Sequence, residues 1–459
     1  MNLLRAGWLV RCLQSKWFPL VPQIAMLAVF CSLVLGGLGV STDDAAFAKI
    51  LRNTNLASLV IWSYWWPVII VATIVLGRIW CTLCPMELLT AIASGLGLRR
   101  RAPSWIRSGW VITLFYMLIL IVGVHTLAIH RLHHRMSLYL LMLMLTAVVV
   151  GLIYEKRAFC SHVCPVGHLL GFYAMLAPFE WRADDLDKCS GCRTKDCIAG
   201  RNHYRLIGRS CTSNLYPAKI KDNRRCLLCT QCLKSCPYKN LRFSLRRPCR
   251  DLFASPAFTW AQMVFLLVVA AFVVYEILSE WSSSKAVLTW IPGQVARLLA
   301  VDGSAASLLK AVVMFVFYPA VFLGCVYLLI RLFATVSLRS ATQLLCLALL
   351  PTMAAAHTMK ALLKMTSRIP YWSYAVSDPR GTITAAALMD KTLVVDKTVP
   401  DALAPWLTYG CAFLFLITLT IVRKSALFRQ HGLPVRIGVF LAAGLYWAVF
   451  AVTIVLWRF

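Results

Sequence analysis

Nine stretches of the chain stay apolar for about the thickness of a bilayer core: residues 17 to 40, 57 to 79, 108 to 128, 137 to 154, 253 to 278, 309 to 334, 340 to 358, 404 to 422 and 437 to 457. A hydrocarbon core about 30 Å thick takes about 20 helical residues at about 1.5 Å each, so the pattern predicts an all-α polytopic membrane protein of about nine transmembrane helices. The first stretch is too long for the apolar region of a cleaved signal peptide and reads as an uncleaved span. Between the fourth and fifth stretches the pattern breaks. Residues 182 to 251 lack long apolar periods, are punctuated by Gly and Pro, and read as a compact, loop-rich insert held by something other than a large core.

Composition agrees: 60% of residues are hydrophobic and 14% charged, which excludes a water-soluble globular chain. Lys and Arg number 47 against 18 Asp and Glu, a formal charge of +29. Such a surplus suggests nucleic acid as a partner until its placement is read. Arg5, Arg11 and Lys16 precede the first span; Arg99, Arg100, Arg101 and Arg107 follow the second. Arg331 and Arg339 follow the sixth, and Arg423, Lys424, Arg429 and Arg436 the eighth. The insert holds 17 Lys or Arg against 6 Asp or Glu. Alternate loops balance: Asp43 and Asp44 face Lys49 and Arg52, while Asp378, Asp390, Asp396 and Asp401 mix with Lys and Arg in 359–403. By the positive-inside rule the N-terminus and insert are cytoplasmic, the partner is the membrane, and no nucleic acid is expected. Three segments result: a four-span core over 1–181, a cytoplasmic domain over 182–251, and a C-terminal membrane domain of about five spans over 252–459 with an external loop at 359–403.

The 18 cysteines turn the question to redox or metal chemistry. Cys226, Cys229, Cys232 and Cys236, followed by Pro237, form C-x2-C-x2-C-x3-C-P, the bacterial [4Fe-4S] ferredoxin run, in which three thiolates hold one cluster and the fourth reaches another. A zinc site normally draws on two separated C-x2-C pairs instead. Upstream stand Cys189, Cys192, Cys197 and Cys211 in a stretched copy. Crossed ligation assigns Cys189, Cys192, Cys197 and Cys236 to one [4Fe-4S] cluster and Cys226, Cys229, Cys232 and Cys211 to a second, with Cys249 the alternative to Cys211. The insert thus reads as a two-cluster ferredoxin-like domain.

Two further pairs end the second and fourth spans. They read Arg78-Ile-Trp-Cys81-Thr-Leu-Cys84-Pro85 and Arg157-Ala-Phe-Cys160-Ser-His-Val-Cys164-Pro165, a repeat offset by 79 to 81 residues that indicates duplicated hairpins. Cysteines three or four apart share a helix face, so the two pairs can supply four thiolates to one site. The following Pro is expected to end or kink the helix and free backbone donors near them. A third cluster or metal site, a redox-active dithiol and plain packing all remain open. Of the six remaining cysteines, Cys12, Cys31, Cys249, Cys325, Cys346 and Cys411, most lie alone in or near apolar spans and read as buried small residues.

Histidines gather toward the opposite side. His125 and His357 are the candidates for a haem b or quinol site, because ionisable groups within spans are functional by default. His130, Arg131, His133, His134 and Arg135 read as a solvated turn. No Gly-rich dinucleotide fingerprint is present, and no group is set up for bond-breaking chemistry.

Paired Cys-Pro motifs at span ends, followed by a two-cluster ferredoxin domain, resemble the membrane polyferredoxins associated with periplasmic nitrate reductase and nitrous oxide reductase. A related branch supports methylamine oxidation and another handles copper for cytochrome oxidase assembly. The resemblance covers residues 57 to 247. It implies a quinol-dehydrogenase-like electron-transfer protein of the bacterial inner membrane, relaying electrons between the quinone pool, iron-sulfur clusters and a redox partner enzyme or cytochrome. Cys81, Cys84, Cys160 and Cys164 then form the second redox or metal element. The first Cys-Pro motif departs from the family in having two residues between its cysteines instead of three. Copper handling through the same thiols is the alternative, since copper(I) prefers soft thiolates.

Overall fold

The structure is a computed structural model that describes residues 2–5, 7–42, 44–205, 207–254, 256–424 and 431–458. Asp43 and Arg429, counted above among the loop charges, lie outside them. Among the described residues eight helices are long and apolar enough to cross a membrane: Leu20–Leu38, Leu56–Leu76, His133–Ile153, Trp260–Leu278, Gly303–Arg331, Leu338–Ser367, Thr398–Lys424 and Leu433–Ile454. The stretch predicted at 108 to 128 forms a shorter apolar helix, Trp110–Thr126. The chain divides into two compact units, one of Met1–Ser32, Ile69–Ile112 and Leu140–Pro256, the other of Leu33–Val68, Thr113–Tyr139 and Ala257–Phe459.

The first unit holds the insert together with both Cys-Pro segments. Each segment has the same local design: a five-residue helix, an extended Cys, then a longer helix that starts on Pro. The first copy is Ile79–Leu83, Cys84 (φ −65°, ψ 130°) and Pro85–Leu96. The second is Ala158–His162, Cys164 (φ −70°, ψ 110°) and Pro165–Tyr173. This corrects the expectation that each pair shares one helix face. A residue before Pro is pushed out of the α region, and Pro is preorganised for the first helical position. The second Cys of each pair therefore caps the next helix. The hairpins dock closely: at Gly151 a Cβ would come within 3.0 Å of the Thr90 carbonyl oxygen, so Gly admits His133–Ile153 against Pro85–Leu96.

Two strands frame the insert. β1 (Phe179–Ala183) pairs antiparallel with β2 (Leu241–Leu245), with Trp181 opposite Phe243 and Arg182 opposite Arg242. Trp181, Leu233 and Leu241 form a small buried core flanked by Cys226, Cys232 and Phe243. Such a core is too small to order long connecting loops by itself. The N-terminal segment fastens onto the insert, with Phe243 N–H bonded to Asn2 Oδ1 at 3.2 Å and Thr230 Oγ1 to the Leu13 carbonyl at 2.9 Å.

The second unit is built on Leu338–Ser367, which packs against Trp260–Leu278, Thr398–Lys424 and Leu433–Arg458. Its apolar face is buried almost throughout, while Phe413, Leu416 and Leu445 on neighbouring helices are exposed, as lipid-facing positions would be. The helix runs to Ser367, past the predicted end at 358, because Lys360 finds Glu280 and the Glu276 carbonyl as partners. The loops 41–56 and 359–403 pack together: Thr54 Oγ1 donates to the Gly381 carbonyl at 2.9 Å. Gly381 has φ +74°, and a Cβ there would meet the Asn55 nitrogen at 2.4 Å. The amphipathic helix Ser282–Leu298, with Val287 and Trp290 exposed, has no counterpart in the sequence reading.

Candidate functional site

All twelve singled-out cysteines fall in the first unit, in three quartets. In the first, burial pushes the Cys197 thiol up to about 12, and the charges of Cys236, Cys189 and Cys192 push the same way. Asn240 serves two members, donating through Nδ2 to Cys189 Sγ at 3.3 Å and through its backbone N–H to Cys236 Sγ at 3.4 Å. Tyr216 bonds the Cys189 carbonyl at 2.6 Å.

The second quartet lines a cavity. Cys211, Cys226, Cys229 and Cys232 share its wall with Trp181 and Ile220. Burial raises the Cys232 thiol well above the usual range, reinforced by Cys229, Cys211 and Cys226. The Trp181 indole N–H donates to Cys232 Sγ at 3.2 Å. Leu228 and Thr230 inside the ligand loop take left-handed conformations, φ +61° and +58°. Such strain in bulky residues collects where a loop is held to a functional geometry. Cys249 is elsewhere, buried beside Arg246 and Asp251. Cys211 thus joins this quartet and Cys249 does not.

The third quartet joins the two Cys-Pro segments. Burial holds the Cys84 thiol well above its ordinary value, with Cys160, Cys81 and Cys164 next in effect. Cys164 is pushed up to about 12, by burial first and Cys160 second. Arg78 Nη2 donates to Cys81 Sγ at 3.5 Å, and the Gly167 N–H to Cys164 Sγ at 3.3 Å. Burial opposes the charge on Arg157, but Cys160 and Cys81 outweigh it and hold the guanidinium charged. The Arg of each repeat is therefore a buried cation for the Cys three residues on, a role the repeat itself did not disclose.

The quartets adjoin one another in order. The Cys211 N–H of the second bonds the Cys197 carbonyl of the first at 2.8 Å. Thr82, between Cys81 and Cys84, donates through its hydroxyl to the carbonyl of Leu227, between Cys226 and Cys229, at 2.5 Å. Beside this junction Glu87, 2% exposed, takes Arg209 Nη2 at 3.0 Å and Gln23 Nε2 at 2.8 Å. Neither Glu87 nor its partners were singled out from the sequence, because their separation in the chain hides the network.

Four thiols that are buried or partly buried, with N–H donors aimed at sulfur, fit a [4Fe-4S] cluster, whose anionic sulfurs are stabilised by such donors. A single tetrahedral ion would instead draw four sulfurs to about 2.3 Å from one point. Among the described residues no three His, Cys, Asp or Glu are gathered for one ion.

In the second unit, the His125 ring lies 4.7 Å from that of Tyr275 and 5.2 Å from that of Phe315, and its buried Nε2 has no hydrogen-bond partner. His357 Nε2 is 3.8 Å from Glu276 Oε2. His133 is not part of a solvated turn: it is 2% exposed, with Nε2 3.1 Å from the Leu51 carbonyl, because the 41–56 loop packs over it. His134, Arg131 and Arg135 are exposed.

Residues 59–105 and 137–183 each match the 4Fe-4S binding domain family, so the matched segments are the two Cys-Pro hairpins. An uncharacterized protein of Methanocaldococcus jannaschii is 28% identical over 183 residues, 38% of this chain and 68% of that protein. The Escherichia coli protein named "Putative electron transport protein YccM" is 26% identical over 127 residues, 27% of this chain and 31% of its own length. No solved structure matches the chain.

Proposed function

We propose that this chain is a membrane-bound electron-transfer protein carrying three [4Fe-4S] clusters in a row: one on Cys189, Cys192, Cys197 and Cys236, one on Cys211, Cys226, Cys229 and Cys232, and one on Cys81, Cys84, Cys160 and Cys164. The observation that carries this reading is the pair of bonds, Cys211 to Cys197 and Thr82 to Leu227, that ties each ligand loop to the next. The family match on both Cys-Pro hairpins and the name of the Escherichia coli relative support it.

When bound, the clusters supply one-electron carriers. The residues of the chain hold them in sequence, exclude water with Trp181 and Leu227, and set the local charge. Arg78 and Arg157 offset thiolate charge at the third quartet, while Trp181, Asn240 and Gly167 give N–H groups to sulfur. The positive-inside pattern puts the insert, residues 182–251, on the cytoplasmic side of a bacterial inner membrane, between a four-span core and a C-terminal membrane domain. The first quartet then faces a soluble partner and the third the membrane. His125, enclosed by Tyr275 and Phe315, and His357 beside Glu276 are the candidates for a quinol or haem site in the C-terminal domain.

Iron and sulfide analysis with EPR of the anaerobically purified, reduced protein tests this. About twelve Fe per chain, falling to about eight in a Cys81→Ser/Cys84→Ser variant, is the expected result. About eight in both proteins removes the third cluster and leaves the Cys-Pro thiols to dithiol or copper chemistry. Stoichiometric copper at those four thiols without quinol-linked turnover would favour the assembly-factor reading.

A further inference from the structure

The β1–β2 ribbon has two unlike faces. Alternation along a strand sends Phe179, Trp181 and Phe243 to the side of the second quartet, where Trp181 reaches Cys232. The other face carries Glu180, Arg182, Arg242 and Ser244, and the chain continues through Arg246, Arg247 and Arg250. Arg182 and Arg242 stand directly opposite each other in the register. Like charges in that position destabilise a strand pair unless anions intervene.

The anions present do not balance the cations. Glu180 is shared among Arg250 at 3.5 Å, Arg182 and Arg242 at 3.8 Å and Arg246 at 3.9 Å. Asp251 is taken by Arg246, with one contact at 2.8 Å, and by the Asn223 N–H at 2.8 Å. Two carboxylates thus face the five guanidinium groups of Arg182, Arg242, Arg246, Arg247 and Arg250. A cavity of about 490 Å³ opens on this face, lined by Glu180, Arg242, Ser244, Arg246, Arg250 and Phe253 among others. At its wall the buried Nε of Arg242 has no hydrogen-bond partner among the described residues, and the contact of this side chain with Glu180 is too long for a hydrogen bond.

We infer that this arginine-lined groove binds a phosphate group, carried either by an anionic phospholipid or by a soluble phosphate compound. Guanidinium forks match phosphate oxygens in pairs, and a mono- or dianion would offset the unbalanced charge. Leu245 and Phe253 give the groove an apolar margin that suits a ligand with an apolar part, while the Ser244 hydroxyl donates to Glu180 Oε1 at 3.3 Å. Phe253 precedes by seven positions in the chain Trp260, where an apolar helix of membrane-crossing length begins, which makes a lipid headgroup one of the two phosphate sources to test. The site rests on the groove's own residues and not on the proposed cluster chemistry, although Arg182 also feels the charge of Cys226.

The test uses the full-length protein. Inorganic phosphate is titrated into detergent-purified protein while the thermal midpoint is followed. In parallel the protein is placed in nanodiscs of phosphatidylcholine alone or with phosphatidylglycerol, and retained lipid is counted by native mass spectrometry. Saturable stabilisation by phosphate identifies a soluble ligand; retention of phosphatidylglycerol that phosphate does not displace identifies a headgroup. Either supports the site if Arg242→Gln/Arg250→Gln weakens binding by about tenfold or more and Arg242→Lys/Arg250→Lys weakens it less. Should the glutamine pair fail to fold, Arg247→Gln supplies the same comparison with a smaller loss. Binding by neither probe, or equal binding by wild type and the glutamine variant, overturns the inference.

Discussion

The hydroxyl of Thr82 donates to the carbonyl of Leu227 at 2.5 Å, across 145 positions of chain. Each residue lies between two ligand cysteines of its own loop, so this bond fixes the distance between the second and third quartets. Replacing Thr82 by Val keeps shape and removes the donor, leaving a buried carbonyl unpaired at a cost of about 1–3 kcal/mol. Thr82→Val is expected to lower the thermal midpoint while leaving iron content at the wild-type value. An unchanged midpoint would show that the bond is not made in solution.

Glu87 carries a negative charge into the same junction and acts on Cys160 on one side and Cys229 on the other. Glu87→Gln should raise the reduction potentials of the second and third centres and leave the first where it is, read by EPR-monitored redox titration. The variant also leaves Arg209 without its carboxylate, so a stability loss of about 3–5 kcal/mol accompanies the shift. Potentials identical to wild type would remove Glu87 from any role in setting them.

The Trp181 N–H donates to Cys232 Sγ, so in the proposed second centre it would stabilise the reduced, more negative state. Trp181→Phe keeps the aromatic packing on Phe243 and is expected to lower that one potential. A shift at the first or third centre instead would mean that the quartets are assigned wrongly.

Cys211 and Cys249 separate cleanly. Cys211→Ser should lose about four Fe per chain, whereas Cys249→Ser should retain the wild-type content, since only Cys211 shares a cavity with Cys226, Cys229 and Cys232. The reverse pattern in iron analysis would transfer the ligand role to Cys249.

His203 gives the insert a pH dependence. It is 6% exposed, bonded through Nδ1 to Ser210 Oγ at 2.9 Å, and its pKa is lowered to about 4, by burial first and then by Lys156 and Arg209. The unfolded chain takes up a proton near 6.5 that the folded chain refuses until about 4, so the unfolded state binds more protons between these values and stability falls as pH drops through them. Denaturant unfolding between pH 7 and 5 should show this loss, and His203→Gln should lessen it, while His162 and His168, lowered by burial to about 4 and about 3, keep the remainder.

Much of this was readable along the chain. Spacing within 226–237 marks three cysteines of one proposed quartet and one of another, because a cluster loop is built from neighbours in sequence. The apolar runs reappear as helices with shifted ends, since hydropathy over about 20 residues is a local property. The Cys-Pro repeat announced itself too, but the α-helical face assigned to each pair was wrong, because the effect of Pro85 and Pro165 on the preceding Cys outweighs helical spacing. His133 was misread for a different reason: its burial depends on a loop some 80 residues away.

The sequence by itself determined the membrane-spanning class, the cysteine inventory and most of the ligand grouping, all of which are written in local spacing and composition. Only the tertiary structure brings Cys211 and not Cys249 into one cavity with Cys226, Cys229 and Cys232, brings Cys81 and Cys84 beside Cys160 and Cys164, and sets Trp181, Asn240, Arg78 and Glu87 near the sulfurs. These are meetings of residues far apart in the chain, and their choice rests on how helices and loops pack at close range, a property that no window of sequence contains.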